Sequence, residues 1–92
     1  DLGRAIPLYE QTLADRERVL GGDHPDTLTS RNNLAGALWG EGRRRAAAKL
    51  LVSAAASALR LFGTDHVVTR QLMANVAVAV EQFPDMQTPQ RR

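Results

Sequence analysis

Apolar side chains recur along most of this chain at the three- and four-residue spacing of an amphipathic α-helix. In the first segment this spacing predicts one buried stripe, made of Ala5, Leu8, Tyr9, Thr12, Leu13, Val19 and Leu20. Along the whole chain it predicts four antiparallel helices, over about 2–20, 25–40, 43–62 and 66–83. Val76, Val78 and Val80 alternate as in a strand, but Leu72, Val76 and Val80 also recur at four residues, which favours a helix. The predicted fold class is therefore all-α.

Glycine and proline mark the ends of these segments. Gly21 and Gly22 end the first helix, Gly63 ends the third and Pro84 ends the fourth. Asp23 fits the N-cap of the second helix, because its carboxylate can accept hydrogen bonds from the unpaired amides there. The sequence after Pro84 shows no period. We therefore predict one helical domain over 1–83 and a flexible C-terminal tail over 84–92.

The chain contains an internal repeat with an offset of 42 residues. Gly21-Gly22-Asp23-His24 recurs as Gly63-Thr64-Asp65-His66. The same offset pairs Ala5 with Ala47, Leu8 with Leu50, Arg18 with Arg60, Thr27 with Thr69, Asn33 with Asn75 and Ala35 with Ala77. Repeat units bury their apolar faces against their neighbours, so this pattern predicts stacked helix pairs in an α-α superhelix.

Composition limits the class of protein further. The 92 residues suffice for one domain, and the absence of cysteine excludes disulfides and thiol chemistry. A net charge of +2 and basic residues without interleaved aromatics argue against nucleic acid as a partner. No apolar run is long enough to span a membrane, and no export leader is visible, so we expect a cytoplasmic location. The start at Asp1 suggests a piece of a longer protein, and the arginine- and alanine-rich composition suggests a bacterial source.

No pattern of catalytic or metal-binding residues stands out. Asp23-His24 and Asp65-His66 lack the further ligands that a zinc site requires, so we predict no metal and no cofactor. Serine and threonine occur without a nucleophile elbow, and the glycines lie at helix ends and not in a phosphate-binding loop. The chain is therefore not expected to be an enzyme.

The repeat resembles the tetratricopeptide repeat of the kinesin light chain type, which has a 42-residue unit. The resemblance rests on Leu20-Gly21-Gly22-Asp23-His24-Pro25-Asp26-Thr27-Leu28 and on Asn32-Asn33-Leu34-Ala35. It covers residues 1 to about 83 and is weaker in the second copy, where Val67, Val68 and Ala74 depart from the pattern. The family pairs a helix A, which carries the Asn-Asn-Leu-Ala segment, with a helix B. The resemblance implies the order B-A-B-A here.

Membership of this family implies a protein-interaction module that binds a peptide or protein through the groove formed by its A helices or through its outer face. The resemblance places nine residues in that groove, namely Thr29, Asn32, Asn33, Gly36, Trp39, Gln71, Asn75, Val78 and Gln82. Asn33 and Asn75 are expected to hold the backbone of a bound peptide or, alternatively, to bridge neighbouring helices. Trp39 either anchors a ligand or packs against a B helix. Similar arrays also follow signalling ATPase modules, so a regulatory segment that contacts its own chain is the alternative function.

Two apolar surfaces are predicted to mediate self-association or partner binding. The first helix lacks its A partner, which leaves Leu2, Ile6, Tyr9 and Leu13 uncovered and favours a homodimer or larger assembly. Val52, Ala56 and Leu59 form a second stripe, on a face that is acidic in the first copy; alternatively, this stripe belongs to a tolerated alanine-rich helix that the tail covers. Arg43-Arg44-Arg45 opens the third helix and is either a solvated cluster or a site for an acidic peptide.

Overall fold

The computed structural model describes residues 2–87, and all regular structure in that range is helical. The four helices are α1 Leu2–Leu20, α2 Pro25–Gly40, α3 Arg44–Phe62 and α4 Val67–Val80. A 3₁₀ turn follows at Pro84–Met86. The all-α prediction is confirmed. The helix expected over 66–83 is shorter than predicted, because α4 ends at Val80 and the 3₁₀ turn follows it.

The 42-residue repeat is visible in the backbone. α1 and α3 begin and end at positions 42 residues apart, and α2 and α4 begin 42 residues apart. Gly21 and Gly63 follow the two B helices with φ angles of 90° and 82°. Such positive φ angles are strained for residues with a Cβ atom, so glycine allows the chain to reverse at both places.

Histidine, and not aspartate, caps the two A helices. His24 has an extended backbone, and its Nδ1 accepts a hydrogen bond from the amide of Asp26 at 3.0 Å. His66 caps α4 in the same way, through the amide of Val68 at 3.1 Å. The prediction of Asp23 as N-cap is therefore wrong by one residue. Both histidines have a structural role that satisfies a helix-end amide.

The helices stack in chain order, each against the next, around an alanine-rich core. α2 packs against both α1 and α3, and α3 packs against both α2 and α4. Ala47, Ala54 and Ala58 are fully buried in α3, and their small side chains let the neighbouring helices approach closely. Leu28 of α2 and Leu72 of α4 are the largest fully buried apolar residues.

The predicted buried face of α1 is partly wrong. Leu8 and Val19 are exposed, whereas Ile6 is buried and Leu13 is half-buried against the core. The prediction that Ile6 belongs to an uncovered patch is therefore wrong. The reason is that α1 packs against α2, and Ile6 and Leu13 lie on that side. Leu50, the counterpart of Leu8, is half-buried in α3, which has a helix on each side.

Residues 84–87 of the predicted tail contact the rest of the chain, and the flexibility of the tail stays a prediction. Met86 packs against the core, and the side chain of Gln87 donates a hydrogen bond to the carbonyl of Val80 at 2.6 Å. Asp85 accepts two hydrogen bonds from the guanidinium of Arg45 in α3, at 2.9 and 3.3 Å. The sequence could not show this contact, since it joins residues 40 positions apart. Residues 88–92 of the predicted tail lie outside the described residues.

Acidification is expected to release this turn from α3. The hydrogen bonds from Arg45, with its positive charge, lower the pKa of Asp85 below its ordinary value. The contact therefore stabilises the folded state above the ordinary carboxyl pKa and is lost as the pH falls through the lowered pKa. NMR shifts of the Phe83 ring and the Met86 methyl group should follow this titration.

Asp85→Asn should give, at neutral pH, the Phe83 and Met86 shifts of the acid form. Asp23→Asn is the matched control, because Asp23 is exposed and makes no ion pair within residues 2–87. Chemical shifts that stay constant over the pH range in which carboxyl groups titrate would show that the Asp85–Arg45 contact does not stabilise the turn.

Candidate functional site: a groove across the helix pairs

An open groove of about 420 Å³ crosses the molecule and is lined by all four helices. Its lining consists of Tyr9, Asn32, Asn33, Ala35, Gly36, Trp39, Leu51, Asn75, Val78 and Ala79. The A helices α2 and α4 supply eight of these ten residues. None of the ten is charged, so the surface combines carboxamides, apolar side chains and one phenol.

Six of the nine residues predicted for the groove line this cavity, namely Asn32, Asn33, Gly36, Trp39, Asn75 and Val78. Thr29, Gln71 and Gln82 do not line it. Thr29 is half-buried and Gln71 is exposed. Gln82 lies beyond the end of α4 and accepts a hydrogen bond from Arg44 at 3.3 Å. That the six bind a ligand stays a prediction.

The three asparagines divide into a bonded pair and a single residue. Asn75 donates its amide to the side-chain oxygen of Asn32 at 2.8 Å, which bridges α4 and α2. Asn33 is exposed and makes no side-chain hydrogen bond within residues 2–87. Asn75 therefore bridges two helices, as the alternative hypothesis for the asparagines expects. Asn33 keeps a donor and an acceptor available to a ligand.

Trp39 borders both the core and the groove, and its role as a ligand anchor stays a prediction. Its ring is half-buried and packs against the core, and it also lines the groove. The guanidinium of Arg44 lies 5.2 Å from the ring centroid, within cation–π range. This contact places one positive charge beside the tryptophan, next to an otherwise uncharged groove.

Gly36 lies at an open position in the groove wall. A Cβ atom added at this glycine would meet nothing within 4 Å. Gly36 is exposed in the middle of α2, where glycine is less favourable than alanine by about 1 kcal/mol. A larger side chain would therefore fit the fold and reduce the space available to a ligand.

Tyr9 is a groove residue that the sequence did not assign to this site. It was predicted to belong to the self-association patch on the first helix, yet it lines the cavity together with Leu51 of α3. No local signal distinguishes these positions, because both residues occupy ordinary apolar positions of B helices. The stacking of α1 beside α2 brings Tyr9 to the groove.

The arginine cluster before and within α3 is occupied by contacts to its own chain. Arg43 lies 3.8 Å from a carboxylate oxygen of Glu41, Arg44 contacts Trp39 and Gln82, and Arg45 binds Asp85 and lies over Phe83. All three side chains are also exposed, so the choice between a solvated cluster and a site for an acidic peptide stays a prediction. The cluster contacts the C-terminal turn and one side of Trp39.

The outer stripe of α3 is exposed. Val52 and Leu59 are exposed large apolar residues, and Ala56 lies between them on the surface. Val52 borders a second, shallow cavity with Arg45, Lys49, Ser53, Asp85 and Met86. None of the three residues of the stripe lines the groove, so the stripe and the groove are separate candidate surfaces.

Neither a metal-type side-chain cluster nor a membrane-spanning helix is found in the described part of the chain. Residues 2–87 contain no group of three or more histidine, cysteine or acidic side chains that could hold a metal ion. No helix in this range is both long and apolar enough to cross a membrane.

Comparison with known proteins agrees with the repeat geometry. A family model for the tetratricopeptide repeat matches residues 1–58, which cover α1, α2 and most of α3. A search of curated proteins finds no match. The shared bounds of α1 and α3, and the equivalent histidine caps, extend the same repeat through α4. The chain belongs to the tetratricopeptide repeat family, whose members generally mediate protein–protein interactions.

Proposed function

We propose that this chain is a protein-interaction module that binds a peptide segment of a partner protein in the groove. The observation that carries the proposal is the open, uncharged cavity, whose lining combines the unbonded carboxamide of Asn33 with apolar side chains. A carboxamide can donate to and accept from a peptide group regardless of side chain. Trp39 and Val78 offer apolar contacts in the same cavity.

The lining suggests what the peptide should look like. An uncharged groove does not compensate the cost of removing a ligand charge from water, so the contacting residues of the peptide should be neutral. The peptide should carry an apolar side chain for the surface between Trp39 and Tyr9. Arg44 beside Trp39 allows an acidic residue only at that edge of the groove.

Filling the groove at Gly36 should abolish peptide binding without loss of stability. Gly36→Leu projects its side chain into open space and replaces a poor helix former with a good one. We expect the melting temperature to stay or rise. Selection from phage-displayed random ten-residue peptides should yield binders to the native chain that Gly36→Leu fails to retain.

Gly36→Ala is the matched control, because it adds only a methyl group and should keep the selected binders. Asn33→Ala should weaken binding roughly tenfold, as expected for one lost hydrogen bond of about 1.4 kcal/mol. Asn33 makes no internal hydrogen bond, so helicity should not change. Full retention of the peptides by Gly36→Leu would remove the groove assignment.

We also propose that the 92-residue chain self-associates through the uncovered side of α1. Leu8, Val19 and Leu20 are exposed there and Tyr9 is only partly covered. Of the four residues predicted for this patch, Tyr9 remains, Ile6 is buried and Leu13 is half-buried. The side chain of Leu2 lies outside the described residues. Apolar surface of this extent on one helix usually marks an interface.

We assign the repeat to the kinesin light chain type. The support is the 42-residue register of helix starts and of the two histidine caps, which exceeds the common 34-residue unit. A structure of a longer array with the same offset between successive A helices would test this assignment.

A further inference from the structure

The two ends of the helix stack expose faces that are covered in its middle. α3 lies between α2 and α4, whereas α1 and α4 are the end helices of residues 2–87. Because the repeat offset is 42, each exposed position at an end can be compared with a buried counterpart inside the stack. The helix that covers the buried counterpart indicates which type of helix, A or B, would fit the exposed face at each end.

The exposed face of α1 matches the face of α3 that α2 covers. Ala47, Leu51 and Ala54 are buried in α3, but their counterparts Ala5, Tyr9 and Thr12 are half-buried or exposed. Positions that face the A helix next in the chain are instead buried in both B helices, as Ile6 and its counterpart Ala48 show. The α1 face at positions 5, 9 and 12 is therefore shaped to receive an A helix.

The exposed face of α4 matches the face of α2 that covers α3. Leu28, Ala35 and Leu38 are buried in α2, and their counterparts are Arg70, Ala77 and Val80. Arg70 and Ala77 are exposed, and Val80 is half-buried. Met73 lies on the same side and is 46% exposed. Apart from Arg70, this face is apolar and fits a B helix.

We propose that α4 of one copy packs on α1 of a second copy, in the register in which α2 packs on α3 within the chain. This inference rests on the proposed self-association and specifies its geometry. The two faces belong to different ends of the chain, so the contact is head-to-tail and does not close on itself. The chain would then assemble into short open stacks that lengthen with concentration.

The C-terminal turn marks one edge of this interface. Residue 86 lies two repeat lengths, 84 residues, after Leu2, so the second copy's first helical turn and the segment 84–87 would meet beside the start of α3. Met73 and Ala77 lie on α4 before this segment and are exposed. The central part of the α4 face therefore remains accessible.

A mixing experiment with two blocked variants tests the geometry. Thr12→Arg places a guanidinium in the α1 face, which would meet the face that carries Arg70, and Ala77→Glu places a carboxylate in the α4 face. Both residues are exposed, so the helices should form normally. Each variant alone should associate about 100-fold or more weakly than the native chain, because a charge would be buried in the contact. Mixed in equal amounts they should form a dimer, since each retains the face that the other lacks. Light scattering over a range of concentrations gives the masses.

Two further variants separate this geometry from other contacts. Arg70→Leu restores the residue found at the equivalent position of α2 and should tighten association at least about tenfold, by removing a charge from the interface. Leu59→Glu, in the outer stripe of α3, should have no effect. A stable dimer of Ala77→Glu alone, or dissociation by Leu59→Glu, would overturn the head-to-tail contact while leaving self-association in place. A monomeric native chain at all concentrations would refute the proposed self-association itself.

Discussion

Replacing Ala58 with arginine is expected to unfold the domain, although arginine is tolerated at the equivalent position of the first repeat. In α1 the guanidinium of Arg16 donates hydrogen bonds to Ser30 Oγ at 2.8 Å and to the carbonyl of Asp26 at 3.1 Å. In α3 the counterpart Ala58 is fully buried, and Leu72 takes the place of Ser30. A guanidinium there would be overpacked and would lack the hydroxyl partner, at a cost of about 4 kcal/mol or more. Thermal unfolding followed by circular dichroism measures the loss.

The first repeat provides the matched control for this prediction. Arg16→Ala should cost about 1–3 kcal/mol, because the buried Ser30 hydroxyl loses its partner. Adding Ser30→Leu reproduces the alanine–leucine pair of the second repeat and should recover most of that loss. A melting temperature of Ala58→Arg within a few degrees of the native value would contradict the argument that position 58 admits no charge.

Truncating Leu28 is expected to be the most costly deletion in the apolar core. Leu28 lies between α2 and α3 with no exposed surface, so Leu28→Ala should lower the free energy of unfolding by about 2–5 kcal/mol. The total free energy of unfolding of a small domain is only about 5–15 kcal/mol, so the variant should be partly unfolded at modest temperature. Urea denaturation at low protein concentration provides the measurement.

Leu8→Ala removes the same atoms from a leucine that is 68% exposed and should change stability by at most about 0.5 kcal/mol. Low concentration matters for this control, because Leu8 lies beside the proposed contact with a second copy. Equal losses in the two variants would mean that the buried position of Leu28 between α2 and α3 does not dominate the core.

The repeat register explains why so much of the fold was predictable. The bounds of α1 and α3 follow from apolar spacing and from the glycines that end them, which are local properties of the chain. The N-cap was misplaced by one residue because Asp23 has the better intrinsic preference for that position, whereas the extended backbone at His24 places the imidazole next to the amide. The capping residue depends on backbone dihedral angles that composition does not specify.

The candidate site was predictable only along the A helices. Asn32, Asn33, Gly36 and Trp39 all line the groove from α2, and the resemblance to the tetratricopeptide repeat groups them by their positions in its pattern. Tyr9 was assigned elsewhere because its place in the groove depends on how α1 is oriented beside α2. The hydrogen bond between Asn75 and Asn32 likewise depends on the distance between two helices that are not consecutive.

The sequence by itself determined the helices, their order and the 42-residue repeat, since these follow from spacing, helix-end residues and internal similarity. Only the tertiary structure decided which side of each helix is covered. Identical positions in the two repeats differ in burial because α3 has a neighbour on both sides whereas α1 has one, and Leu8 and Leu50 show the difference. The contact of Asp85 with Arg45 was decided in the same way, by a chain reversal that brings distant residues together.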